Sequence, residues 1–123
     1  ITHLPPGAVR LASNAFTHVQ AGSVVHQGGV FWGLQYHPEY DLHEMARLAW
    51  CRIEKLVKRK FFKDRAAAED YVRLLETLHQ DPARKDIAWL LGVDDDVIKP
   101  DVRTLEVRNW LGRLVLPTLA QRR

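Results

Sequence analysis

The spacing of apolar and polar positions changes near Asp41. Before it the pattern is that of strands and turns. Pro5-Pro6-Gly7 marks a turn, and the short run through Val9 and Leu11 alternates until Ser13-Asn14 interrupts it. Val24-Val25-His26 and Val30-Phe31-Trp32 flank Gln27-Gly28-Gly29. β-Branched and aromatic residues on two arms, with glycines at the tip that take positive φ without strain, predict a hairpin. Gly33-Leu34-Gln35-Tyr36 carries the second arm on to His37.

After Asp41 the period is helical. Asp41 is an N-cap residue with Glu44 three positions on, a variant of the capping box. Leu42, Met45, Ala49, Ile53, Leu56 and Val57 then recur at helical spacing. Asp64 is placed to cap a second helix with Ala68, Tyr71, Val72, Leu75 and Leu78 on its apolar side. Asp81-Pro82 predicts a third helix with proline at its first position, ended by Gly92. Residues 93–99 read as an acidic loop. A fourth helix is expected from Pro100 through Val102, Leu105, Trp110, Leu111, Leu114 and Val115, broken near Pro117. There is no internal repeat and no low-complexity linker.

The chain has 123 residues, enough for one small domain with a core, and folding at this size buries roughly two-thirds of the unfolded surface. With 46% apolar and 27% charged residues, the composition is that of a globular chain and not a disordered one. No apolar run is long enough to span a bilayer, no signal-peptide pattern opens the chain, and Cys51 has no second cysteine to pair with. A cytoplasmic protein without membrane contact is expected. The first residue is Ile1 and not Met, so the chain is expected to begin inside a longer protein. The net charge of +3 is concentrated in Arg52, Lys55, Lys58, Arg59, Lys60, Lys63 and Arg65, against Glu54 and Asp64. A nucleic-acid patch would need aromatic-interleaved strand beside these cations. None accompanies them, so a solvated helix face is expected and no nucleic-acid partner.

Chemistry gathers at Gly33-Leu34-Gln35-Tyr36-His37-Pro38-Glu39, where an apolar strand runs out into a loop. A strand aims side chains and a loop exposes them. Pro38 locks its own φ and pushes His37 into an extended conformation. Residues two apart in extended chain project to the same side, which puts the Glu39 carboxylate within reach of one imidazole nitrogen of His37. Such a contact fixes the tautomer and favours the imidazolium, leaving the other nitrogen to exchange a proton with a nucleophile. From the residues alone, an ordinary surface His–Glu pair is the competing reading.

The stretch GLQYHPE resembles the signature that closes the active site of class I glutamine amidotransferases, an aromatic residue followed by HPE. The lead-in is similar as well. Residues 1–7, Ile-Thr-His-Leu-Pro-Pro-Gly, resemble the segment where a leucine-proline-x-glycine turn precedes the strand with Leu11-Ala12-Ser13. The segment around Val19-Gln20-Ala21, the glycine turn and the strand into HPE then follow in the family's order over residues 1 to about 48. Asn109-Trp110-Leu111 and the helical tail look like extensions in the GMP-synthase-like branch of free-standing amidotransferases, a less specific match.

The resemblance implies an α/β fold: residues 1–60 would be the C-terminal part of a three-layer class I amidotransferase domain, and residues 61–123 an α-helical extension. It implies hydrolysis of the side-chain amide of glutamine, with ammonia passed to a synthase or acceptor subunit. His37 and Glu39 would serve a Cys-His-Glu triad whose cysteine, in a glycine-flanked elbow, belongs to an N-terminal half absent from this chain. The chain alone is expected to be inactive. No cofactor is implied.

Cys51 is no substitute nucleophile: it sits between Trp50 and Arg52 inside a predicted helix without glycine, and a free cysteine there is expected to pack as a small apolar residue. His37, Glu39, Asp41 and His43 alternate, but a helix starting near Asp41 breaks their shared face, so no metal site is expected. His3, His18, His26 and His79 lack ligand spacing. Trp32, Trp50, Trp89 and Trp110 are expected in packed positions. The alternative to an enzyme is a non-catalytic helical interaction domain that keeps an inert amidotransferase remnant.

Overall fold

The computed structural model describes residues 3–121 of the 123. Ile1 and Thr2, the start of the segment likened to the family's leucine-proline-x-glycine turn, lie outside the described residues. The described chain is mixed α/β: a three-stranded antiparallel sheet followed by short helices. It divides into two units, residues 3–37 with 112–121, and residues 38–111.

In the first unit, strands β1 (Val9–Ala12), β2 (Ala21–His26) and β3 (Gly29–Leu34) lie in the order β1-β2-β3. The Pro5 turn closes through the Ala8 amide onto the Pro5 carbonyl at 3.1 Å, with Gly7 at φ 77°. The hairpin forms as expected but its tip is Gln27-Gly28, both at positive φ, while Gly29 pairs with His26. Two residues of positive φ match the twist of the flanking strands, and that geometry costs Gln27 more than it costs glycine. Val25 opposes Val30 and Ala21 opposes Leu34 on one face, and Val24 opposes Phe31 on the other. Val19 and Ala21 are buried. Gly22 lies opposite Gly33, and a methyl group there would stand 2.9 Å from the Leu4 Cδ2 atom, so the Leu4 side chain would have to shift to admit it. The β1–β2 register shifts between Arg10 and Ala12, so the alternation through Leu11 is not kept.

The second unit is helical: α1 (Leu42–Trp50), α2 (Ile53–Lys58), α3 (Arg65–Gln80), α4 (Lys85–Leu91), α5 (Asp95–Ile98), α6 (Pro100–Arg103) and α7 (Leu105–Trp110). Its core joins Leu42 and Ala46 of α1 to Leu75 and Leu78 of α3 and Ile87 and Ala88 of α4. Asp64 caps α3 through the Ala67 amide, and Gly92 ends α4 at φ 66°. Three expectations are corrected. The helix from Asp41 does not run through Val57: it breaks at Cys51-Arg52, where no side chain caps α2. Pro82 is not the first residue of α4, which starts at Lys85 after a turn in which the Asp81 carboxylate accepts the Ala83 amide. The acidic loop contains α5, because Asp94 caps it through the Asp96 amide.

Proline does begin α6 at Pro100, but the fourth helix is in pieces, α6 and α7 meeting at Thr104. Residues 111–115 form a π-helical turn before α8 (Leu116–Gln121). Pro117 has no N–H to give and its ring crowds the carbonyl four residues back, and a widened turn relieves both.

Leu78 is fully buried where α3 meets α1 and α4. Leu78→Ala is expected to lower stability by about 2–5 kcal/mol. Urea unfolding followed by far-ultraviolet circular dichroism checks this, and an unshifted midpoint would remove Leu78 from the core.

Candidate functional site

β3 ends at Leu34, but its hydrogen bonding continues one residue further. The Gln35 amide donates to the Gln20 carbonyl at 2.8 Å, and the Gln35 side chain donates to the Val19 carbonyl at 2.5 Å. The chain then bends through Tyr36, and Pro38-Glu39 form a turn before Asp41. His37 and Glu39 are both exposed, and Pro38 between them is buried. The expected strand extension to His37 is therefore replaced by a bend and a turn. His37 stands at the end of the sheet unit, and Glu39 in the loop that opens the helical unit.

Asp41 anchors the far end of this loop. Its carboxylate accepts the Glu44 amide at 2.9 Å, and the Glu44 carboxylate accepts the Asp41 amide at 2.9 Å, a complete capping box. The hydrogen bond from the Glu44 amide holds the Asp41 carboxyl below its ordinary value of 3.8; partial burial opposes this, and the charges of His79 and Arg103 add to it. The His79 Nδ1 atom lies 3.8 Å from the Asp41 carboxylate. His43 pairs with Glu76 of α3 at 2.8 Å, and the His43 and His79 rings stand 5.6 Å apart. Two imidazole–carboxylate contacts thus tie the start of α1 to the end of α3. Sequence spacing alone could not reveal them, because each crosses more than thirty residues.

Arg103 is a further residue that the sequence did not single out. Its Nε donates to the Pro38 carbonyl at 3.2 Å and its Nη1 to the Val97 carbonyl at 3.0 Å. The turn between His37 and Glu39 is therefore braced from α6.

Cys51 is exposed at the C-terminal end of α1, which corrects the expectation that it packs as a small apolar residue. His43 and Cys51 line one groove of about 390 Å³ with Tyr40, Glu44, Arg47 and Leu48. They are eight positions apart, about 12 Å along a helix at 1.5 Å per residue, too far for direct proton exchange. The tryptophans also depart from expectation: Trp50, Trp89 and Trp110 are exposed, Trp89 at 82%, and only Trp32 is half-buried. Among the described residues, no group of three or more His, Cys, Asp or Glu is arranged to hold a metal ion, and no helix is long and apolar enough to cross a membrane.

The chain is 30% identical over 120 residues to a gamma-glutamyl-L-1-hydroxyisopropylamide hydrolase from Pseudomonas sp. The match covers 96% of this chain and 40% of that protein, so the chain spans about two-fifths of its relative's length. No family model matches the chain, and no solved structure matches it.

Two outcomes test these assignments. Asp41→Asn keeps a capping oxygen but removes the titrating charge. In the native protein, Asp41 contributes stability that is present above the ordinary carboxyl value of 3.8 and is lost as pH falls through its lowered folded value. Melting temperature against pH should therefore fall less steeply below pH 4 in Asp41→Asn, and parallel acid limbs would exclude Asp41 as a contributor. Cys51 should react with a thiol reagent in the folded protein without denaturant, and Cys51→Ser should change stability by no more than about 0.5 kcal/mol. A thiol that labels only on unfolding would contradict the exposed position.

Proposed function

We propose that this chain is the C-terminal part of a hydrolase of γ-glutamyl amides, and that His37 and Glu39 are two members of a Cys-His-Glu triad. The observation that carries the reading is the similarity along 96% of the chain to a hydrolase of a γ-glutamyl amide, a match that takes in the GLQYHPE stretch ending in an exposed loop. Residues 1–60 are read as the end of a class I amidotransferase-type domain and residues 61–123 as its helical extension. The nucleophilic cysteine is assigned to the part of the protein that corresponds to the unmatched portion of the relative. Val9, Val25 and Val30, exposed on one face of the sheet, give that part an apolar surface to cover.

The chemistry is acyl transfer. A cysteine thiolate attacks the γ-carbonyl carbon, forming the C–S bond and an oxyanion. The imidazolium of His37 gives its proton to the departing nitrogen as the C–N bond breaks. His37, now neutral, takes a proton from water as it attacks the thioester, and glutamate leaves as the thiolate is restored. Glu39 orients and charges His37. Glutamine is itself the γ-glutamyl amide of ammonia, so one acyl site serves both glutamine and N-substituted γ-glutamyl amides. The two substrates differ only in the leaving amine. The amidotransferase reading adds delivery of the ammonia to a synthase or acceptor subunit.

In the full-length protein, His37→Ala should abolish glutamate release from both glutamine and a γ-glutamyl N-alkylamide. General acid–base catalysis alone contributes about a hundred- to ten-thousandfold. Glu39→Gln should cost less, because the imidazole remains, and Cys51→Ser should leave turnover near wild type. Steady-state glutamate release measures all three, and the ratio of the two substrates' kcat/KM decides which amine the enzyme is built to expel. Loss of activity in Cys51→Ser with retention in His37→Ala would reverse the roles. A full-length wild type that hydrolyses neither amide would favour the interaction-domain reading.

A further inference from the structure

The path from His37 to Glu39 has few soft dihedrals. Peptide planarity leaves the ψ of His37, the φ and ψ of Pro38 and the φ of Glu39. The proline ring locks the φ of Pro38. The ψ of Pro38 decides where its carbonyl points, so whatever holds that carbonyl sets the ψ as well. Arg103 holds it. Its guanidinium is partly buried and donates from two nitrogens to carbonyls of two different segments, Pro38 at 3.2 Å and Val97 at 3.0 Å. A planar fork with two anchored arms has little rotational freedom, and a lysine ammonium at the same place would be a point donor on a flexible stem. The Asp41 carboxylate, three residues beyond Pro38, lies within electrostatic reach of the same guanidinium. The helical extension thus braces the turn whose flanking residues are His37 and Glu39.

Resting on the hydrolase reading above, we propose that Arg103 is a positioning residue for the His37–Glu39 pair, and that the helical extension is part of the catalytic apparatus through this one side chain. Arg103 touches no reacting atom. It acts by fixing the backbone between the two residues that do, so its loss should lower kcat more than it raises KM.

The test uses the full-length protein with Arg103→Met and Arg103→Lys. Both are expected to lower kcat for γ-glutamyl amide hydrolysis about ten- to a hundredfold, the range set by small misplacements of reacting groups, with KM changed less than about threefold. Low millimolar guanidinium should restore part of the lost kcat in Arg103→Met and do nothing for the wild type. Amide hydrogen exchange at residues 39–42 should quicken in both variants relative to the rest of α1. An unchanged kcat in a variant that still melts cooperatively overturns the proposal. So does a loss carried wholly by KM. If Arg103→Met fails to fold, Arg103→Lys decides, since it keeps the charge and the stem. A wild type without hydrolysis, or a His37→Ala that retains it, overturns the reading of the site and the catalytic role with it. The exchange measurement separates that failure from failure of the brace itself.

Discussion

Asp41 and Glu44 bond reciprocally across the first turn of α1, each carboxylate accepting the other residue's amide at 2.9 Å. Much of the second unit follows from this pair. It ends the loop that carries Glu39 and starts the helix at Leu42, so that Leu42 and Ala46 fall on the side facing α3 and α4. A helix beginning one residue later would leave Leu42 outside it and take one side chain from that stripe. His79 and Arg103 add to the electrostatic field that favours the charged Asp41. The cap is thus the place where helix geometry, core packing and the candidate catalytic loop are joined.

The proposed chemistry places a modest demand on this chain. One imidazole must be available on the surface of a loop whose backbone does not wander, and one carboxylate must lie near in sequence. His37 and Glu39 are exposed on either side of a buried Pro38. The loop is held at one end by Gln35, bonded to Gln20 and Val19, and at the other by the Asp41 cap, with Arg103 on the carbonyl between. Three anchors from three segments are consistent with a turn that functions through its position. Under the proposed function, catalytic groups that tolerate little displacement would give α6 a reason to hold the turn through Arg103.

The exposed apolar residues have a common thread. Val9, Val25 and Phe31 on the sheet, and Trp89 and Phe61 among the helices, lie open in a chain that matches two-fifths of its relative's length. Aromatic side chains carry the largest apolar area per residue, which favours packing them, yet Trp50, Trp89 and Trp110 are exposed. Packing needs a partner surface as well as an apolar side chain, and composition does not say which surfaces this chain alone provides.

Local patterns in the sequence determined the turn at Pro5-Gly7, the hairpin, the caps at Asp41 and Asp64, the stop at Gly92 and the apolar stripe of α3. Each depends on residues within a few positions of one another, where side-chain chemistry and backbone preference act directly. In the GLQYHPE stretch the strand as far as Leu34 follows the local pattern, but the run on to His37 is a bend and a turn. Tertiary structure decided the rest. The helix from Asp41 breaks at Cys51-Arg52, and Cys51 is exposed; the helical period continues across the break, so periodicity alone could not reveal it. The acidic loop contains α5, capped locally by Asp94 through the Asp96 amide, one of several aspartates in the run that could cap. The brace from Arg103 to Pro38 joins residues 65 positions apart. No local propensity encodes such a contact, because it exists only once the helices between have packed and brought the two segments together.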